Sequence, residues 1–225
     1  MLAKRVSIDA AQLGDLDHAA WSGAEPEDVQ LAPVPLELQP SAYLSRGPKD
    51  RPVGRVQRLR VRSLHNQNEV AFLLEWDDPR ADLVPADNDV FPDGAALLFP
   101  LHGEAPLMTM GSPDAPVAAW YWRADRPGHG RSNIATGLGT TRVVDEQSIA
   151  THAAWRAGRW RLVFTRRLHV LAAEAESIQL RVGEPFKVAF AVWEGGNGER
   201  GGIKSFSPSW HEVTLEGGAR SARQE

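Results

Sequence analysis

The 225-residue sequence has no cysteine. Without thiolates, the chain alone cannot form a cysteine-rich zinc site, an iron–sulfur cluster or the covalent attachment of a c-type haem. It also has no cysteine nucleophile. Any cofactor that this chain holds is therefore bound through other side chains.

Long apolar runs and clustered positive charge are absent as well. No stretch approaches the roughly 20 apolar residues of a membrane-spanning helix. The opening MLAKRVSIDAAQLGDLDHAAW has no apolar segment after its two basic residues, so a conventional signal peptide is not expected. With 25 basic against 29 acidic residues and no long basic run, nucleic-acid binding is not expected either.

The chain has ordinary globular composition, with 42% hydrophobic and 24% charged residues. This length predicts a single domain over 1–225 with a sizeable core. A proline-punctuated lead over 26–52 is expected to be extended, and the small polar tail at 217–225 is expected to fray.

Short apolar segments bounded by turn residues predict a mainly β fold. Seven segments are predicted strands: 56–61, 70–76, 95–99, 118–122, 160–168, 187–193 and 210–215. This number of short strands predicts an antiparallel β-sandwich with a few short helices. The best helical candidates are 145–155 and a turn within 168–176.

Motifs for independent catalysis are missing. The segment GERGGIKS at 198–205 approaches a phosphate-binding loop, but Ile203 occupies the position that requires glycine and Pro208 follows where a helix would begin. The seven histidines include no pair at metal-ligand spacing on one helix, and no serine, histidine and aspartate are spaced as a triad. The chain is therefore predicted not to be an enzyme by itself.

Lysine and methionine are scarce. Only four lysines occur, and only Met108 and Met110 follow the initiator methionine. Lys204 lies in a glycine-rich loop, where a desolvated amine can lose its proton and coordinate a metal, unlike a guanidinium. A thioether is the one soft donor left in a chain without cysteine. A solvated surface lysine and a methionine that fills a core gap are the alternatives.

Two sequence blocks resemble a known family. They are TMGS at 109–112 with PVAAWYWR at 116–123, and VAFAVWEGGNGER at 188–200 leading into Lys204 and Ser205. Both are similar to the haem b-binding gamma subunits of the ethylbenzene dehydrogenase family. Related gamma subunits occur in steroid C25 dehydrogenase, dimethylsulfide dehydrogenase, selenate reductase and chlorate reductase. Shorter similarities at 3–6, 21–25, 64–66, 93–95 and 99–100 extend the resemblance over nearly the whole chain.

The resemblance implies one noncovalent haem b, in a pocket formed by loops at one side of the sandwich. Met110 and Lys204 match the family's axial iron ligands. Met108 is a competing donor, because a spacing of two along a strand would place it on the same face as Met110. With both axial positions filled, the iron suits electron transfer rather than catalysis.

The resemblance also implies partners. These are a catalytic molybdopterin alpha subunit and an iron–sulfur beta subunit in a heterotrimer, and an external cytochrome. The complex would act as a dehydrogenase that hydroxylates hydrocarbons anaerobically with water, in the periplasm after export with the alpha subunit. The iron–sulfur clusters and molybdenum would belong to the other subunits.

Two alternatives remain open at this point. A β-sandwich with an acidic and aromatic opening also resembles carbohydrate-binding modules without haem, in which exposed tryptophans stack on sugar rings. The other alternative is a structural subunit whose haem site has been lost.

Overall fold

The computed structural model describes residues 1–39, 51–86 and 88–217. Pro40 and Pro48 of the predicted extended lead, and all but residue 217 of the predicted polar tail, lie outside the described residues. In the described part of the lead, two short strands and one turn of 3₁₀-helix are present. No helix in the described ranges has the length and apolar character needed to cross a membrane.

The described residues form thirteen strands and few helices. In chain order the strands are β1 (Leu2–Arg5), β2 (Glu27–Gln30), β3 (Ala32–Pro33), β4 (Arg58–His65), β5 (Glu69–Asp77), β6 (Gly94–Pro100), β7 (Val117–Arg123), β8 (His129–Ala135), β9 (Arg142–Arg156), β10 (Arg159–Arg167), β11 (Pro185–Trp193), β12 (Ser205–Phe206) and β13 (His211–Leu215). The helices are α1 (Ala10–Gly14) and four 3₁₀ turns, Ala19–Gly23, Leu36–Leu38, Leu171–Glu176 and Gly195–Asn197.

The strands form one continuous sheet in the order β13-β1-β4-β5-β10-β9-β8-β7-β6-β11-β12-β3, with β2 on β4. The sheet folds over on itself, because β13 pairs with both β1 and β11. Most pairings are antiparallel, whereas β1 runs parallel to its two neighbours. The predicted mainly antiparallel β-sandwich with a few short helices is confirmed.

The core lies between the two layers. Alternate residues of β6 and β11, such as Leu97, Phe99 and Phe190, pack with Phe72 of β5 and Phe164 of β10 in one hydrophobic cluster. The intervening residues of β6 and β11 belong to a second cluster on the outer face. Every residue of β6 is buried, which explains why its sequence is continuously apolar.

All seven predicted strands are present, with ends that shift by a few residues. The predicted helix at 145–155 is wrong, because these residues belong to β9. Its residues from Ile149 onward pair with β10, and its first residues pair with β8. The predicted turn within 168–176 is confirmed as the 3₁₀ turn at Leu171–Glu176.

Candidate functional site

A cavity of about 430 Å³ lies on the outer face of the layer that contains β6, β7, β8 and β11. Its floor is formed by small apolar side chains, Ala96 and Leu98 of β6, Ala119 of β7 and Ala191 of β11. Because neighbouring strands present alanines side by side, the floor leaves room for a flat apolar ligand. The expected pocket formed by loops therefore has a floor of strands and a rim of loops.

Met110 reaches the cavity from the turn between β6 and β7. Its backbone adopts the left-handed region, with φ 59°. The peptide is held on both sides, since the Met110 N–H donates to Leu107 O at 3.0 Å and its carbonyl accepts from the Gly137 N–H at 3.1 Å. Next to it, a Cβ on Gly111 would lie 2.9 Å from the Ala115 and Ala135 carbonyl oxygens, so only glycine fits there.

Met108 does not compete with Met110 for this cavity. Residues 107–110 form a turn rather than a strand, so a spacing of two does not place the two side chains on the same face. Met108 is 40% exposed and is not part of the cavity lining. The expectation that both methionines share a face is wrong.

Lys204 enters the cavity from the loop that precedes β12. The residue is buried, at 7% exposure, and no hydrogen bond or ion pair to its amine is found within the described ranges. Its Nζ lies 5.5 Å from the centroid of the Trp193 ring. Burial lowers the pKa of Lys204 to about 8. A buried amine without a carboxylate partner is a donor poised to lose its proton to a metal.

The loop before Lys204 is held by the buried carboxylate of Glu199. Glu199 accepts hydrogen bonds from the backbone N–H groups of Gly54 (2.9 Å), Arg55 (2.8 Å) and Glu194 (3.1 Å). It also accepts from the Asn197 side chain at 3.1 Å. These bonds fix the chain between β11 and Lys204.

Asp93 anchors the opposite end of the same loop. It accepts from the Gly195 and Asp82 backbone N–H groups, each at 2.8 Å, and from the Trp160 indole at 3.0 Å. Burial raises the pKa of Asp93 to about 6. The sequence placed Asp93 and Glu199 inside the matching blocks, but only the structure shows what they bind.

Polar side chains without partners point to a ligand with polar groups. Gln39 and Asn133 both line the cavity. Both amide atoms of Gln39 and the Asn133 Oδ1 are buried without a hydrogen-bond partner in the described part of the chain. A Cβ on Gly202 would lie 1.7 Å from Gln39 Oε1, so the glycine makes room for this side chain. Sequence patterns gave no indication of Gln39 or Asn133.

The structure brings Met110 and Lys204 together, since both line this one cavity from separate loops. The donor set fits a haem b, with a thioether, a buried unpaired amine, an apolar floor and unpaired amides. No group of three or more histidine or carboxylate side chains suited to a metal ion is found in the described ranges.

The fold and the cavity define a β-sandwich with a ligand cavity on the outer face of one layer. The family model described as "Ethylbenzene dehydrogenase" matches residues 18–142 and 135–205. The chain therefore belongs to the ethylbenzene dehydrogenase family, and the resemblance noted in the sequence is confirmed.

Three similar proteins have names that describe subunits of oxidoreductases. ORF7 of Haloferax mediterranei, named as a respiratory nitrate reductase haem subunit, is 33% identical over 85% of this chain and 65% of its own length. The chlorate reductase subunit gamma of Ideonella dechloratans is 34% identical over 70% and 64%. The dimethylsulfide dehydrogenase subunit gamma of Rhodovulum sulfidophilum is 29% identical over 83% and 73%. The chain thus spans slightly less than two thirds of the first two.

Solved structures show a similar fold. A family 9 carbohydrate-binding module from Caldicellulosiruptor kristjanssonii, in complex with cellotriose, has a TM-score of 0.55 and 12% identity, and the match covers 100% of this chain and 97% of that one. At this identity the similarity concerns the fold alone. All eight tryptophans lie within the described ranges; five are buried, and Trp155, Trp193 and Trp210 are partly exposed.

Proposed function

We propose that this chain is the electron-transfer gamma subunit of a molybdenum oxidoreductase complex, and that it binds one noncovalent haem b between Met110 and Lys204. The observation that carries the proposal is the cavity that these two side chains share. Membership of the family and similarity to a protein named as a haem subunit support it. When bound, haem b supplies reversible one-electron chemistry.

Each ligand residue has a separate task. Met110 offers a neutral thioether, which favours ferrous iron, from a backbone that the Gly111 turn holds rigid. Lys204 must bind as the neutral amine, and its burial lowers the cost of losing the proton. Haem held by both Met110 and Lys204 would supply electron transfer, so the chain would be suited to relay electrons rather than to catalyse.

The cavity walls hold the ring and limit its contact with water. The alanines of the floor contact a flat apolar surface, and Trp193 closes one side with its indole N–H bonded to Gly201 O at 3.0 Å. Tyr121 packs edge-on against Trp193, with ring centroids 5.3 Å apart. These contacts orient the ligand, because apolar burial and aromatic packing are strongest in one pose.

The proposed partners follow from the family resemblance, and the relatives' names support only that this chain is one subunit of a larger complex. A molybdenum-containing alpha subunit and an iron–sulfur beta subunit would exchange electrons with this chain, and a periplasmic cytochrome would be the external acceptor or donor. Ethylbenzene dehydrogenase-like hydroxylation of hydrocarbons is the proposed activity of the complex. Its substrate contacts would lie in the alpha subunit.

Ligand substitution tests the proposal directly. The full chain, purified with haem, is expected to give a low-spin six-coordinate optical spectrum. Met110→Ala and Lys204→Ala should each convert the iron to a five-coordinate form or release the haem, because each removes one axial bond. Met108→Ala is the matched control and should leave the spectrum unchanged. Low-spin spectra that are unaltered in both ligand variants would refute the assignment.

A further inference from the structure

A second concave region adjoins the cavity. It has a volume of about 380 Å³, and its lining includes Arg123, Arg126 and Arg131. We call this region the arginine groove. Tyr121 lines both the cavity and the groove, so the two adjoin at this side chain.

Strand register explains why the groove follows the cavity. Ala119 of β7 pairs with Asn133 of β8 beside the cavity floor, and Tyr121 pairs with Arg131 at the boundary. Alternate residues of a strand share a face, so Arg123 follows Tyr121 on the same face of β7. Two residues advance a strand by about 7 Å. The groove therefore begins about 7 Å along β7 from the cavity floor, at Tyr121.

Charge differs sharply between the two compartments. Lys204 is the only basic side chain among the described residues that line the cavity, whereas the groove contains three guanidinium groups. Arg123 pairs with Asp125 through Nη2 at 2.7 Å, which offsets one positive charge. The charge of Arg126 remains without a partner in the described ranges, beside a cavity whose floor is apolar.

Two donors in the groove have no acceptor in the described part of the chain. The Arg123 Nε–H is buried and unpaired. Arg126 is exposed, and its guanidinium has no partner within the described ranges. A cation whose donors are unpaired at the edge of an apolar cavity is suited to a carboxylate, which accepts charge-assisted hydrogen bonds.

Tyr121 adds a neutral donor at the boundary. Its hydroxyl has no hydrogen-bond partner within the described ranges. Burial raises the pKa of Tyr121 to about 12, although the nearby charges of Arg123 and Arg126 oppose the shift. The phenol therefore stays protonated near neutral pH, and both guanidinium groups lie close enough to act on it.

We propose that the arginine groove binds the propionate carboxylates of haem b, with Arg123 and Arg126 as cationic partners and the Tyr121 hydroxyl as a donor. This inference rests on the proposed function. Haem b is an apolar ring with two carboxylates on one edge, which matches an apolar cavity that adjoins a groove lined by arginines. The same groove would fix the orientation of the haem ring, because the ring edge opposite the propionates has no charged group to pair with the arginines.

The test compares haem b with its dimethyl ester, in which both carboxylates are blocked. Each is titrated into the full chain while the Soret band is followed. We expect the ester to bind about tenfold more weakly than haem b, because exposed and half-exposed charge pairs contribute modestly. The Arg123→Gln, Arg126→Gln double variant should lose about tenfold in affinity for haem b and almost nothing for the ester.

Two controls separate this inference from the proposed function. Arg58→Gln, at an exposed position of β4 outside both compartments, should bind both ligands as the unaltered chain does. Arg126→Gln alone alters an exposed side chain, so a several-fold loss in haem affinity would not reflect misfolding. Equal loss for haem b and the ester, or no loss for either, would refute the groove as the propionate site. Failure of the unaltered chain to bind haem would instead refute the proposed function.

Discussion

Lys204 combines two properties that rarely occur together in a lysine. It is buried, and its amine has no carboxylate partner in the described part of the chain. Lysines are almost never fully buried without a partner, because an isolated charge loses its hydration. The residue therefore lowers the stability of the chain without ligand, and metal coordination by the neutral amine would remove this cost.

Replacing Lys204 should separate stability from ligand binding. We expect Lys204→Met to raise the free energy of unfolding of the haem-free chain at pH 7 by on the order of 1 to 3 kcal/mol, since it removes a buried charge. The measurement is urea unfolding. Lys187→Met is the control, because Lys187 is paired with Glu104 and should give no gain. A Lys204→Met variant that is less stable than the unaltered chain would contradict this reading.

The stability gain expected for Lys204→Met depends on pH, and the direction of this dependence follows from the pKa of Lys204. The pKa of Lys204 is about 8 in the folded chain and 10.5 when unperturbed. Between these values the unfolded chain binds more protons, so the lysine makes the haem-free chain more stable as pH rises from about 8 to about 10.5. Lys204→Met should lose this rise, and its advantage should be largest below pH 8.

At the scale of elements, local sequence patterns predicted the strands well. They failed where pairing with strands distant in sequence determines the secondary structure. The apolar patterns of the segments that form β5 and β7 are sufficient to predict both strands. The segment 145–155 has helix-like composition, yet it pairs with β8 and β10. Within β9, the Asp145 carboxylate accepts hydrogen bonds from the Gln147 and Ser148 N–H groups at the point where the register with β8 shifts.

The residues of the site were also predictable only where local sequence patterns identify them. Met110 and Lys204 lie in conspicuous blocks of uncommon residues, so a resemblance could identify them. Gln39 and Asn133 have no local pattern, and their role depends on which strands and loops meet at the cavity. Tertiary structure alone places Gln39 against Gly202.

The loop between β11 and Lys204 should depend on Glu199. Glu199→Gln keeps the size of the side chain but replaces an acceptor-only carboxylate, so at least one of its four hydrogen bonds is lost or weakened. We expect a loss of about 1 to 3 kcal/mol in unfolding free energy and several-fold weaker haem retention. Thermal unfolding and haem release rates measure both.

A matched control is available on the Leu171–Glu176 turn. Glu174 is exposed there, and Glu174→Gln should change neither quantity. If Glu199→Gln lowered stability but left haem release unchanged, the loop would not depend on this carboxylate for placing Lys204.

At the scale of the whole molecule, buried carboxyl groups make the stability of the haem-free chain depend on pH. Burial, and then the charge of Asp93, raises the pKa of Asp78 and of Glu194 to about 7. The folded chain therefore binds more protons than the unfolded chain between about pH 4 and pH 7. These carboxyls stabilise the haem-free chain at low pH, and that contribution is lost as pH rises through 7.

Haem binding should show the opposite trend, because protons compete with iron for the Lys204 amine. A ligand at 100 times its dissociation constant adds about 2.7 kcal/mol to stability, and we expect this increment to shrink as pH falls from 8 to 5.5. Thermal unfolding of the full chain with and without haem measures both trends. Asp78→Asn should flatten the haem-free profile while the increment keeps its pH dependence, and Asp77→Asn, at an exposed position, should alter neither. An increment that is the same at pH 5.5 and pH 8 would mean that no titrating amine holds the iron.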